Sequence, residues 1–121
     1  MYYRAREIAL NNNLNYHIAA FIRRGKSDII KSNTLKTNPN FFQQYHDNMH
    51  GYHMHAEMNV LRYSKPGDDI HVMRFKKNGL FTMAKPCGYC MKYMRKFEIR
   101  RCYYTDWNGA WNMIKIKKER N

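Results

Sequence analysis

Acidic residues are scarce in this chain. Nine Asp and Glu stand against twenty-two Lys and Arg in 121 residues, a formal charge of +13 at neutral pH. That imbalance favours a polyanionic partner: nucleic acid, a nucleotide or an anionic membrane surface. No basic amphipathic helix stands out, so the membrane ranks last. Long apolar runs are missing too. The longest clear one, Ile18 to Ile22, falls far short of the roughly 18 residues of a membrane span. The opening Met1-Tyr2-Tyr3-Arg4-Ala5-Arg6 has no hydrophobic signal core, so a cytoplasmic, reducing compartment is expected rather than secretion. Cysteine is sparse: Cys87 and Cys90 are spaced C-x-x-C and Cys102 is alone. An odd count without a signal does not suggest a disulfide framework; a metal site or a redox pair fits better.

What is present suits one globular domain over residues 1–121. Hydrophobic residues make up 44%, enough to argue against disorder. There is no internal repeat and no linker. Tyr3 to Leu10 reads as a short helix with Ala5, Ile8 and Ala9 on one side, stopped by Asn11-Asn12-Asn13. Tyr16 to Arg24 and Ser27 to Lys36 read as a hairpin turning at Gly25-Lys26, and Asn38-Pro39-Asn40 is a further turn. Phe41 to Met54 reads mostly as loop, and His55 to Tyr63 as a helix ended by Pro66-Gly67. Ile70 to Phe75 and Leu80 to Ala84 are strands joined by Asn78-Gly79. Pro86 to Phe97 is a helix with Pro86 suited to its first position, and Arg100 to Thr105 a strand. The basic end, with Lys115, Lys117, Lys118 and Arg120, reads as a solvated tail. Strands alternating with helices predict an α/β sandwich around a mixed sheet.

Two short motifs carry the chemistry: His55-Ala56-Glu57 and, beginning 31 positions after His55, Pro86-Cys87-Gly88-Tyr89-Cys90. Each is weak alone. Together, each opening a predicted helix, they are specific. Positions i and i+3 lie about 60° apart around a helix, so Cys87 and Cys90 can reach one ion. In a first turn the helix N-terminus favours their thiolates. With a neutral His55 imidazole they make three protein ligands, the number of a catalytic zinc site with one open position. His55 and Glu57 lie about 200° apart on a helix. They converge only on an ion lying off the helix end, which puts Glu57 beside the reacting water without binding the metal. A carboxylate there can take a proton and deliver it to a leaving group.

This H-x-E…P-C-x-x-C pattern resembles the zinc-dependent cytidine/deoxycytidylate deaminase superfamily, over roughly Tyr16 to Asp106. The resemblance implies a cytidine-deaminase-like three-layer sandwich with a mixed central sheet of about five strands flanked by helices. It implies Zn2+ held by His55, Cys87 and Cys90, Glu57 as proton shuttle, and hydrolysis of cytosine to uracil with loss of ammonia. It further implies substrate contacts from Asn33, from Ala56 beside the pyrimidine, and from Tyr104 and Trp107 after the fourth core strand, with Asp106 beside them. The chain departs from free-nucleoside cytidine deaminases in carrying Met91-Lys92 where those carry Arg-Gln. The tRNA adenosine deaminases share the zinc motif, which keeps adenine open.

Three functions are therefore in view. The charge favours cytosine in single-stranded nucleic acid, DNA ahead of RNA, reached by flipping or from a single strand. Free deoxycytidylate or cytidine is the second substrate reading. A non-catalytic, zinc-stabilised nucleic-acid-binding module is the reading outside enzymology. A redox pair usually follows a strand in a thioredoxin-like unit, a pattern that does not surround Cys87, and a closed structural zinc site completed by His46, His50 or His53 leaves Glu57 without a role. Those three histidines and Tyr52 suit a loop near the pocket mouth. Phe41, Phe42 and Tyr45 can stack bases or pack in a core. His17 and His71 read as ordinary strand residues, and Cys102 as a small buried one. The cluster Lys92, Arg95, Lys96, Arg100 and Arg101 is either a phosphate track or a solvated face.

Overall fold

The computed structural model describes residues 2–11, 16–24, 28–35 and 53–117. Alternation along the strands dictates its layers. In β1 (His17–Ile22) Ala19 and Phe21 face one way and Ile18, Ala20 and Ile22 the other. In β5 (Asp69–Phe75) Met73 and Phe75 oppose Ile70 and Val72. Both strands thus bury two faces, and helices cover both. On one face α1 (Tyr2–Leu10) sets Ala5 and Ala9, one helical turn apart and fully buried, against Ala19, Phe21, Met73 and Phe75. On the other face α2 (Ala56–Leu61) and α3 (Gly88–Lys96) bury Met58, Val60, Leu61, Tyr93 and Met94 with Ile22, Ile70, Val72 and Cys102. The result is a three-layer α/β sandwich.

The sheet is mixed. Its order is β2 (Ile29–Ser32), β1, β5, β7 (Arg101–Thr105), β8 (Trp111–Lys115), with β6 (Phe81–Thr82) added beside β5. β5 and β7 are parallel and every other pair in this sheet is antiparallel. A parallel neighbour needs a crossover, and α3 lies on it. A second, two-stranded ladder joins β3 (Thr34–Leu35) to β4 (His53–Met54).

Several boundaries differ from the sequence expectation. Where one strand is expected from Ser27 to Lys36, Ile29–Ser32 and Thr34–Leu35 are separate strands, and the side chain of Asn33 between them binds backbone at β1: Oδ1 accepts from Ile18 N at 3.1 Å and Nδ2 donates to Tyr16 O at 3.0 Å. Pro86 lies two residues before the first turn of α3, whose N-cap is Cys87. The strand expected over Leu80 to Ala84 narrows to Phe81–Thr82. The expected tail contains β8, turned back on β7 by Asp106. Its carboxylate accepts from Asn108 N at 2.9 Å and Ala110 N at 3.0 Å. Gly109 there has φ +80°, and a Cβ would strike the Phe81 ring. The turns expected at 25–26 and 38–40, and most of the loop expected over 41–54, lie outside the described residues, as do Phe41, Phe42, Tyr45, His46, His50 and Tyr52. No helix among the described residues is long and apolar enough to cross a membrane.

Candidate metal centre

Two helix N-termini meet at one point. His55 is the N-cap of α2, in extended backbone, and its ring makes no capping bond. Cys87 is the N-cap of α3, and its sulfur accepts from Cys90 N at 3.5 Å. The caps bring three donors together: His55 Nδ1 lies 3.2 Å from Cys90 Sγ and 3.8 Å from Cys87 Sγ. All three ligand atoms fall within 4.8 Å of one another, the one such cluster among the described residues. A tetrahedral zinc, with bonds of about 2.3 Å to sulfur and about 2.0 Å to nitrogen, needs donors roughly 3.5–3.8 Å apart. Two thiols and an imidazole at these separations are compatible with Zn2+.

The same proximity sets the protonation states. Cys87 is lowered to about 3 by its hydrogen bond with Cys90 and, after burial's opposing effect, by those with His55 and the helix amide. Cys90 is pushed well up by its side of that bond and by burial. His55 is raised, chiefly by its bond to Cys87 and then by nearby Glu57, against burial. Without a metal, Cys87 is therefore the thiolate of the trio and Cys90 the thiol.

Glu57 is the second residue of α2 and only 5% exposed. Burial raises its carboxyl above the ordinary range, with the His55 charge opposing. Its Oε1 is buried with no hydrogen-bond partner among the described residues. A buried acceptor left open is costly and points to an absent partner. Glu57, His55 and Cys87 line one cavity of about 150 Å³. Its lining also includes Ile18 and Val72 from the sheet and two cations, Arg74 and Lys85. The Arg74 guanidinium also lies 5.4 Å from the Tyr16 ring centre.

Sequence reasoning missed both cations. Arg74 continues the Ile70–Val72 face of β5, so strand alternation was its only signal. Lys85 stands two residues before Cys87, within reach of the motif. The four residues expected to contact substrate lie outside the cavity wall. Asn33 is buried on the β1 backbone. Ala56 is the buried first residue of α2. Tyr104 packs half-buried against the core that holds α2 and α3, and Trp107 is 63% exposed in the turn after β7. Cys102 is a buried core thiol whose pKa burial pushes up.

A family model described as the cytidine and deoxycytidylate deaminase zinc-binding region matches residues 11–106. No curated protein matches the chain at a significant level.

Proposed function

We propose a hydrolytic cytosine deaminase from one premise: the chain belongs to the cytidine and deoxycytidylate deaminase zinc-binding family. The observation that carries the reading is the unpartnered Glu57 Oε1 in the same cavity as His55 and Cys87. His55, Cys87 and Cys90 would hold the zinc, which supplies Lewis acidity that makes water nucleophilic near neutral pH. Glu57 then accepts a proton from the attacking water at its open oxygen. Its raised pKa suits it to hand that proton to ring N3, and then to carry the second proton from the added hydroxyl to the departing amine. Water adds at C4 of cytosine, the C4–N bond breaks, and uracil and ammonia are the products. Ile18 and Val72 give the base an apolar wall.

The substrate we favour is cytosine in single-stranded nucleic acid, DNA before RNA. The +13 charge, Arg74 and Lys85 in the cavity wall, and the exposed Trp107 support it. Ala56, Tyr104 and Asn33 belong to the same proposal, Ala56 through its backbone beside the base, the other two as groups bordering the substrate. A free nucleotide is the second reading, favoured by the same two cations, which suit one phosphate. Conversion of cytosine to uracil in single- and double-stranded oligonucleotides, deoxycytidylate and cytidine, followed by mass spectrometry, tests both. Product in the single strand, absent with Glu57→Gln, is expected. Activity confined to mononucleotides overturns the polymer reading. Zinc-loaded protein silent on every one of these substrates overturns the cytosine reading and leaves adenine chemistry or a binding module.

A further inference from the structure

Among the described residues, α1 is the helix on this sheet face, and it covers one end of it. α1 packs on β1, β5 and β2. Beyond it a row of register-paired side chains continues across the sheet: Phe21 opposite His71, His71 opposite Tyr103, Tyr103 opposite Met113. Phe21 and His71 stack at 4.8 Å with planes 7° apart, and His71 and Tyr103 at 4.8 Å and 14°. Trp111 from β8 meets this stack edge to face, 6.3 Å from Phe21 and 5.6 Å from His71. It stays 47% exposed and Met113 45%. Burial lowers the His71 pKa and Arg23 adds to that effect, against Asp69, so the stack is neutral at neutral pH.

Cations border this aromatic row. Arg101 and Lys115 stand two residues from Tyr103 and Met113, hence on the same face, directly opposite each other in register. Like charges so opposed are destabilising. A protein interface would bury that repulsion and is ordinarily poor in lysine. A polyanion turns it into affinity. Asp69, opposite Arg101 in register on β5, is engaged chiefly by Arg100, through bonds of 2.7 and 3.1 Å, and also attracts Arg101, which leaves Lys115 as the cation of the pair without that acid beside it in register. We infer that the β7–β8 end of this face is a docking platform for single-stranded nucleic acid, with bases stacking on Trp111 and phosphates held by Arg101, Lys115 and Arg23. Every base has a π-face, so the platform reads no sequence. Phe21, His71 and Tyr103 hold the indole in position. The inference rests on the polynucleotide reading above for its occupant, and it gives that strand a foothold separate from the zinc cavity.

A strand without cytosine tests it, because such a strand is no substrate. A labelled oligothymidylate is titrated into the zinc-loaded full chain and followed by anisotropy. Trp107 and Trp111 are the two tryptophans, so a Trp107→Phe protein reports Trp111 fluorescence alone. Binding should quench that signal, and Trp111→Ala should weaken affinity at least about fivefold. Trp111→Phe should retain most of it, and Lys115→Glu should lower both affinity and its salt dependence. Thermal unfolding of each variant verifies the fold. Oligothymidylate that binds without quenching Trp111, or equally well to Trp111→Ala, overturns the platform. So does concentration-dependent self-association that Trp111→Ala abolishes, which would assign the face to a second copy. Failure of the deaminase reading would appear as absent uracil with this binding intact, and failure of the platform as the reverse.

Discussion

Replacing Glu57 by Gln exchanges one oxygen for an amide nitrogen and keeps the shape. Its Oε1 has no partner among the described residues, so no described hydrogen bond there is lost. Removing a charge from a site only 5% exposed does not raise the cost of burial. The variant should therefore melt at or above the parent temperature and keep one zinc per chain by metal analysis. Its turnover should fall at least about 100-fold, the usual worth of a general acid–base group. The ligands make a second prediction. Cys90 is held well above its ordinary pKa and His55 is raised. Both must lose protons to bind a metal, so zinc affinity should climb as pH rises through the neutral range. Competition with a chelating dye at two pH values measures that slope. The four motif residues were legible because each spacing is local and each motif opens a helix. Asn33 was not, because the groups it bonds, Tyr16 O and Ile18 N, lie 17 and 15 residues away. Arg74 was not either, because alternation identifies a face and says nothing of what the face meets.

At the scale of an element, α3 ends in a way its sequence does not advertise. Ile99 N donates to Met94 O at 3.0 Å and Glu98 N to Arg95 O at 3.1 Å, the paired bonds of a Schellman motif. Ile99 and Met94 also share the core, which adds the apolar contact such ends favour. The residue turning the chain is Glu98, at φ +59°, where glycine is the usual occupant. A side chain there costs about 1–2 kcal/mol. Glu98→Gly should therefore stabilise the protein by about 1 kcal/mol, seen as a raised urea midpoint with unchanged slope. The carbonyl of Glu98 still receives Gly67 N at 2.8 Å, since that bond is backbone only. Removing Met94 instead, by Met94→Ala, should cost about 2–5 kcal/mol, because the side chain is wholly buried. Most elements were legible from their periodicity, yet β8 read as a tail. Its apolar Trp111 and Met113 alternate correctly, but they stay nearly half exposed, among Asn and Lys. A strand with no buried face of its own leaves little hydrophobic signal.

For the whole molecule the charge is the dominant variable. Pairing all nine acids would still leave thirteen cations over. Among the described residues Arg24–Asp68 and Arg100–Asp69 are ion pairs, both at 2.7 Å. Exposed pairs of this kind contribute at most about 1 kcal/mol each, so they do not offset the surplus. Self-repulsion of that surplus opposes the compact state. Raising sodium chloride from about 0.01 M to about 0.1 M shortens the screening length from about 30 Å to about 10 Å, below the span of the domain. Relief on the order of 1 kcal/mol should lift the melting temperature by about 4 °C for a chain of this size. Scanning calorimetry across that range measures it, and the gain should level off at higher salt once neighbouring charges are screened. Chloride is the appropriate salt, since sulfate stabilises by exclusion from the surface. The same salt should act in the opposite direction on strand binding. Three phosphate contacts, from Arg23, Arg101 and Lys115, give a log–log slope of about −2 and a loss of about 20-fold between roughly 50 and 200 mM. A melting temperature that stays flat while binding weakens would mean that the fold already compensates its cations locally, and that the surplus charge acts on the partner alone.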